Sequence, residues 1–230
     1  MEYIDEEMND LSYDLAIEND KRSFGAYYIS LVKTKHPIIF SFCYNNDYNS
    51  KIIKMDLFFI DFAILYTVNA LFFDDDTMHR IYEKKGKFEI EYQLPKIIYS
   101  SLISMVLNII VKLLALSNDG IIELKQNKEK NDIDERGSKL ECKLNIKFAL
   151  YFIISFIFLL FFLYYISMFG AIYRNTQLHL LKDTLISLAL SLVYPFALYL
   201  LPGIFRIPAL SDEKKNKKCL YNFSKLLQIF

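Results

Sequence analysis

Asp61 sits near the middle of an apolar run, Ile52 to Phe73, and is the residue whose placement most invites chemistry. As a helix the run would measure about 33 Å, against roughly 30 Å of bilayer hydrocarbon. A carboxyl at that depth is costly and faces protein or water rather than lipid. There it could take up and release a proton, or line a path for an ion. A second apolar run, residues 95–117, carries Ser101, Ser104, Asn108 and Lys112. At about 100° per residue these four fall within about 80° of one another, which makes one polar stripe. Counted at about 1.5 Å per residue in an antiparallel pair of spans, Asp61 and Asn108 reach the same depth, roughly 13.5 Å. Asp56 and Lys112 match at roughly 6 and 7.5 Å, and Asn69 and Ser101 at roughly 25 Å.

Two readings follow from this alignment. In one, the stripe is glue: Asp56 pairs with Lys112, and Asp61 is hydrogen-bonded to Asn108, which holds two helices together. In the other it is a proton or ion path with Asp61 as the titrating group. Asp56 and Asp61 point about 140° apart around their own helix, so the first run offers the second no single matching stripe. Lys112 could also extend to the interface on its own.

Other constellations are missing. There is no G-x-S-x-G, no H-E-x-x-H and no phosphate-cradling glycine loop in a chain with only 6 glycines. His36, His79 and His179 are scattered, and Asp74-Asp75-Asp76 is not a ligand spacing. Cys43, Cys142 and Cys219 are odd in number and far apart, which argues against a disulfide framework and a zinc site. The expectation is a non-enzyme without cofactor or metal.

Four apolar blocks pass the length test for spanning helices: about 52–73, 95–117, 148–170 and 183–205. Pro95 suits a first helical turn, Pro195 and Pro202-Gly203 predict a kink, and Ser187 and Ser191 allow close helix approach. With four spans, eighteen Lys and Arg fall on the side of the termini and of loop 118–147, against six opposite. This puts both termini in the cytosol. The one sequon, Asn222-Phe223-Ser224, would then lie on the unglycosylated side. Net charge is +0, so nothing in it calls for nucleic acid.

The remaining segments read as accessories. Residues 1–51 form an acidic cytosolic segment with no signal peptide and an interfacial helix ending before Pro37. Asp76 should cap a short helix through Tyr82 that Gly86 ends, followed by a short strand or interfacial segment at Phe88, Ile90, Tyr92 and Leu94. Loop 118–147 reads as a solvated, partly disordered connector. Residues 206–230 form a basic amphipathic tail. Lys214, Lys215, Lys217 and Lys218 precede Leu220, Phe223, Leu227 and Phe230, which suits contact with an anionic lipid surface or packing on the protein itself. Cys219, beside those lysines, is a candidate for palmitoylation.

Several runs stand out as a set: Asp20-Lys21-Arg22-Ser23-Phe24, Lys35-His36-Pro37-Ile38-Ile39-Phe40 and Asn46-Asp47-Tyr48-Asn49-Ser50, then Asn69-Ala70-Leu71-Phe72-Phe73, Thr77-Met78-His79-Arg80-Ile81-Tyr82 and Leu201-Pro202-Gly203-Ile204-Phe205-Arg206-Ile207-Pro208. The set resembles an uncharacterised family of multi-spanning membrane proteins of single-celled eukaryotes such as ciliates. That resemblance implies a helical membrane protein and adds no site residues.

The expected molecule is an all-α membrane protein, a bundle of four transmembrane helices (52–205) with an interfacial N-terminal helix and an amphipathic tail. It would sit in the lipid bilayer as an anchor or assembly component, as a homo-oligomer or with a protein partner. The rival expectation is a small oligomeric transporter or channel.

Overall fold

The structure is a computed structural model that describes residues 3–117 except 88, residues 120–122 and 124, residues 133–211 and residues 217–228. No strand occurs among the described residues. The helices are α1 (Asp5–Asp10), α2 (Tyr13–Asn19), α3 (Phe24–Lys35), α4 (Lys51–Leu71) and α5 (Asp75–Glu83), then α6 (Ile90–Ala115), α7 (Ile133–Ile172), α8 (Gln177–Leu198), α9 (Leu200–Leu210) and α10 (Lys218–Leu227). A π turn (Ile39–Cys43) follows α3, and a 3-10 turn (Arg174–Thr176) precedes α8.

Three stretches are long and apolar enough to cross a membrane: α6, α7 and the run Arg174–Leu210 that holds α8 and α9. There are up to four if α4 and α5, which meet at a 78° bend, count as one broken span. These helices are compatible with an integral membrane protein. Phe152, Phe156, Phe161 and Tyr164 on α7 are exposed, a surface suited to lipid rather than water.

Helix boundaries depart from the sequence expectation in instructive ways. α7 starts at Ile133, far ahead of residue 148, and at 40 residues it is about 60 Å long. The charged stretch before residue 148 is polar but holds no proline, and Glu135 pairs with Lys139 at 2.6 Å. Propagating an existing helix costs far less than nucleating one, so the spanning segment extends into it. The rest of the expected connector, 118–119, 123 and 125–132, lies outside the described residues. α6 starts at Ile90, so Pro95 sits inside the helix, and the alternation of Ile90, Tyr92 and Leu94 is helical rather than a strand (Phe88 is outside the described residues). Tyr92 finds a use in that helix, with its ring under Arg80 (4.1 Å) and Lys96 (5.0 Å). The cap of α5 is Asp74, not Asp76: its carboxylate accepts from Thr77 N at 2.9 Å. Gly86, at φ 75, takes the left-handed conformation that ends the segment.

The chain divides into two compact units, Met1–Lys54 with Leu192–Phe230, and Met55–Ser191. The boundaries of these units fall inside α4 and α8. In the first unit, the acidic N-terminal segment and the basic tail, expected as separate accessories, pack on each other. Leu11, Tyr13 and Ala16 share a core with Ala209 and Tyr221. A second cluster joins Tyr27 and Leu31 of α3 to Tyr199. Gly203 lets α9 approach α3 closely, since a Cβ there would lie 2.7 Å from the Phe24 ring. On either side of Pro195, α3 and its cap supply donors: His36 Nε2 reaches the Leu192 carbonyl (2.9 Å) and Tyr28 the Phe196 carbonyl (3.1 Å). α10 buries Tyr221 and Ser224, with Gln228 just past its end, one step round from the Leu220, Phe223 and Leu227 face picked out by hydrophobicity. The hydroxyl of Tyr221 donates to the Leu11 carbonyl and Lys225 reaches the carbonyls of Asp10 and Leu11, which is why this face turns inward.

Glu6 and Glu7 of α1 are buried in the same unit. Glu7 accepts from Tyr48 (2.7 Å) and from Ile4 N (3.0 Å). Burial, reinforced by the Asp47 charge, pushes the Glu6 carboxyl up from 4.5 to about 8, and Lys35 does not offset it. A carboxyl raised on folding favours the folded unit fully below its unfolded value and loses that contribution as pH rises through the folded one. Between pH 5 and 8 the protection of α1 amides against hydrogen exchange should therefore fall, by about 1.4 kcal/mol per pH unit. Glu6→Gln should flatten that slope; an unchanged slope would assign the pH dependence elsewhere.

Candidate functional site

The polar residues of the spans come together in the second unit, Met55–Ser191, in three groups along α4. Nearest the start of α4, Asp56 accepts a hydrogen bond from Tyr151 of α7 at 2.7 Å. The next group, at Asp61, takes in Lys112 and Asn108 of α6. The Lys112 ammonium lies 3.7 Å from Asp61 Oδ2. With its amide oriented so that nitrogen rather than oxygen faces these acceptors, Asn108 donates to Asp61 Oδ1 (3.2 Å) and to the Ser104 carbonyl (3.3 Å). The match of Asp61 with Asn108 is thus present, but Lys112 pairs with Asp61 and not with Asp56. Equal depth along two axes says nothing about rotation, and Asp56 turns toward α7 instead.

Farther along, Asn69 ties α4 to α6 and α8. Its amide nitrogen approaches Thr184 Oγ1 (3.4 Å) and Ser187 Oγ (3.2 Å), and its carbonyl oxygen accepts from Ser100. The depth estimate indicated Ser101, whose hydroxyl instead donates to the Ile97 carbonyl one turn back (2.7 Å). Ser100 faces inward because α6 buries Gln93, Ile97, Ser100 and Ser104 along one side. Ser104 Oγ makes no hydrogen bond on that face. The stripe of Ser101, Ser104, Asn108 and Lys112 is therefore not one continuous line of contacts.

Toward the beginning of α6, Lys96 reaches Asp74 Oδ1 (2.9 Å), the Phe72 carbonyl (3.5 Å) and the Thr77 hydroxyl. On α8, Asp183 is buried, 2% exposed. In the sequence Asp183 stands at the edge of an apolar block, where an acid reads as a boundary. The one available signal was its spacing, four residues before Ser187.

Of the tail lysines, Lys214 and Lys215 lie outside the described residues. Lys217 Nζ donates to the Pro208 carbonyl (2.8 Å) and its amide to Tyr13 Oη (3.0 Å). Lys218 opens α10. Cys43, Cys142 and Cys219 are free and exposed. Among the described residues no group of three or more His, Cys, Asp or Glu side chains could hold a metal ion.

The charged stripe residues neutralise one another or bond to a neighbouring helix. Chemically the arrangement can hold helices together and hold protons in place. No nucleophile, base and orienting third group are assembled among them. Comparison with protein-family models, with curated proteins and with solved structures found no match.

Proposed function

We propose that this chain is a multi-pass integral membrane protein working as a non-enzymatic anchor or assembly component. In this reading the chain crosses four times, with α4 and α5 as one broken span, and the excess of Lys and Arg on the side of the termini supports a cytosolic position for both. The unit built from the two chain ends then faces cytosolic partners, and Lys217 and Lys218 stand where an anionic lipid surface or a protein partner can meet them. The observation that carries this reading is the Asp61–Lys112 ion pair, backed by Asn108. A carboxylate already matched by a cation and an amide holds helices together, and a passing ion would have to compete with both.

Two measurements test it. In sealed vesicles, an impermeant maleimide should find Cys43, Cys142 and Cys219 all on one side. With three spans the first and last of these would fall on opposite sides, and that result would remove the four-span topology. Purified protein in liposomes should show no proton-driven dye response. A response in the wild type that folded Asp61→Asn lacks would make the chain a transporter or channel instead.

A further inference from the structure

Two buried acceptors, one on α8 and one on α6, lack donors. Asp183 Oδ1 has no hydrogen-bond donor, and neither has Gln93 Oε1, three residues before Lys96 on α6. Both side chains are 2% exposed. Asp183 lies one turn before Ser187, and Lys96 one turn before Ser100. Ser187 and Ser100 meet on Asn69, so α6 and α8 run side by side at this level. Lys96 is the cation that this register puts at the level of Asp183 on the neighbouring helix. An ammonium has three N–H donors, and those of Lys96 are taken up by Asp74, Thr77 and the Phe72 carbonyl.

The other neighbours bring no compensating charge. On α8 itself, His179 lies one turn earlier, and exposed Lys182 is adjacent in sequence. α4 brings neutral Asn69, α5 brings Thr77, and Asp74, which caps α5, is held by Lys96. α7 brings Phe169, packed with Leu180. A bare carboxylate in such surroundings costs far more than a protonated one, which also supplies a missing donor.

We propose that Asp183 is a buried proton-binding site and that Lys96 controls its occupancy. With Lys96 turned to Asp74 and Thr77, Asp183 holds a proton taken from water. When the Asp74 contact opens, the Lys96 ammonium turns to Asp183 and the carboxyl gives that proton back to water. One ion pair is exchanged for another, and the bend between α4 and α5 becomes sensitive to pH. This stands independently of the anchor reading, since a proton can be bound without being carried across.

The test is infrared spectroscopy of the full-length protein in detergent, with carbon-13 in the side-chain carboxyls of aspartate. Wild type at neutral pH should show the carbonyl stretch of a protonated carboxyl, and the aspartate label should shift it, which separates Asp183 from Glu6. Asp61→Asn should keep that band and Asp183→Asn should lose it. Asp74→Asn, which frees Lys96 at a partly exposed position, should lose it at neutral pH and recover it on acidification. No label-sensitive band in the wild type would overturn the site, as would a band that survives in Asp183→Asn. A band unaffected by Asp74→Asn would overturn the control by Lys96. The wild-type spectrum needs no variant to fold.

Discussion

Arg206→Met should destabilise the unit formed by the two chain ends by about 3–5 kcal/mol, the range for removing one partner of a buried ion pair. Arg206 is 0% exposed. Its guanidinium donates to Asp20 Oδ2 from Nε (3.0 Å) and Nη2 (2.8 Å), to the Asn9 carbonyl (3.1 Å) and to the Met8 carbonyl (2.6 Å). Its flat face lies against the Tyr27 and Tyr221 rings, at 5.0 and 4.7 Å. Methionine fills similar space but orphans two backbone carbonyls at the end of α1 and half the demand of Asp20. Arg22 would still hold Asp20, at 2.7 and 2.9 Å, which keeps the loss at the lower end of that range.

Burial acts to raise the Asp20 carboxyl. Hydrogen bonds from Arg22, with the charges of Arg206 and Arg22, outweigh it, and the group ends below the usual range. The paired carboxylate therefore stabilises the unit above its unfolded pKa and ceases to as pH falls through the lowered one. This acid-side loss is separate from the effect of Glu6, which acts between pH 5 and 8. Arg206→Lys should recover only part of the stability, because one ammonium cannot span a carboxylate and two carbonyls in the plane between two rings. Hydrogen exchange across residues 5–19 of the full-length protein in detergent reads all three proteins. Wild-type protection in Arg206→Met would mean that the guanidinium contributes nothing net.

Lys54→Met should cost a similar amount, about 3–5 kcal/mol, by stranding Asp47. Both side chains are 1% exposed, and Lys54 Nζ lies 2.9 Å from Asp47 Oδ1. The same ammonium donates to the Tyr44 carbonyl at 2.5 Å and lies over the Phe40 and Tyr44 rings. Asp47 keeps one partner, the Asn49 amide at 3.2 Å. The double variant Lys54→Met with Asp47→Asn should regain much of the loss, because the buried charge has then gone with its partner. Proteolysis of the segment between the π turn and α4 is a direct readout. Equal losses in the single and double variants would show that packing of the lysine chain, not the charge pair, is at stake.

The spanning helices were legible in the amino-acid chain because apolar length is a local property. The block at 148–170 lies within α7 and the block at 95–117 overruns the end of α6 by two residues, and no partner is needed to recognise them. Asp61 and Asn108 could be matched by counting residues along two helices, since depth accumulates at a constant rise. Asp56 could not be assigned, because its choice of Tyr151 depends on how α4 is rotated against α7. In the sequence Arg206 is one more positive charge beside a span, and Asp20 one more acid in the N-terminal segment. They are 186 residues apart, and nothing in either neighbourhood names the other.

Composition and apolar periodicity thus determined that this chain is helical and suited to a bilayer, and which of its segments carry ionisable groups there. The tertiary structure decided which charges meet. It joined the acidic beginning to the basic end around Arg206, moved Lys112 from Asp56 to Asp61, and left Asp183 buried with a carboxyl oxygen that has no donor. The physical reason is one of range. Hydrophobic burial along a helix follows from its own residues, whereas a buried charge is settled only when a partner of opposite sign arrives from elsewhere in the fold.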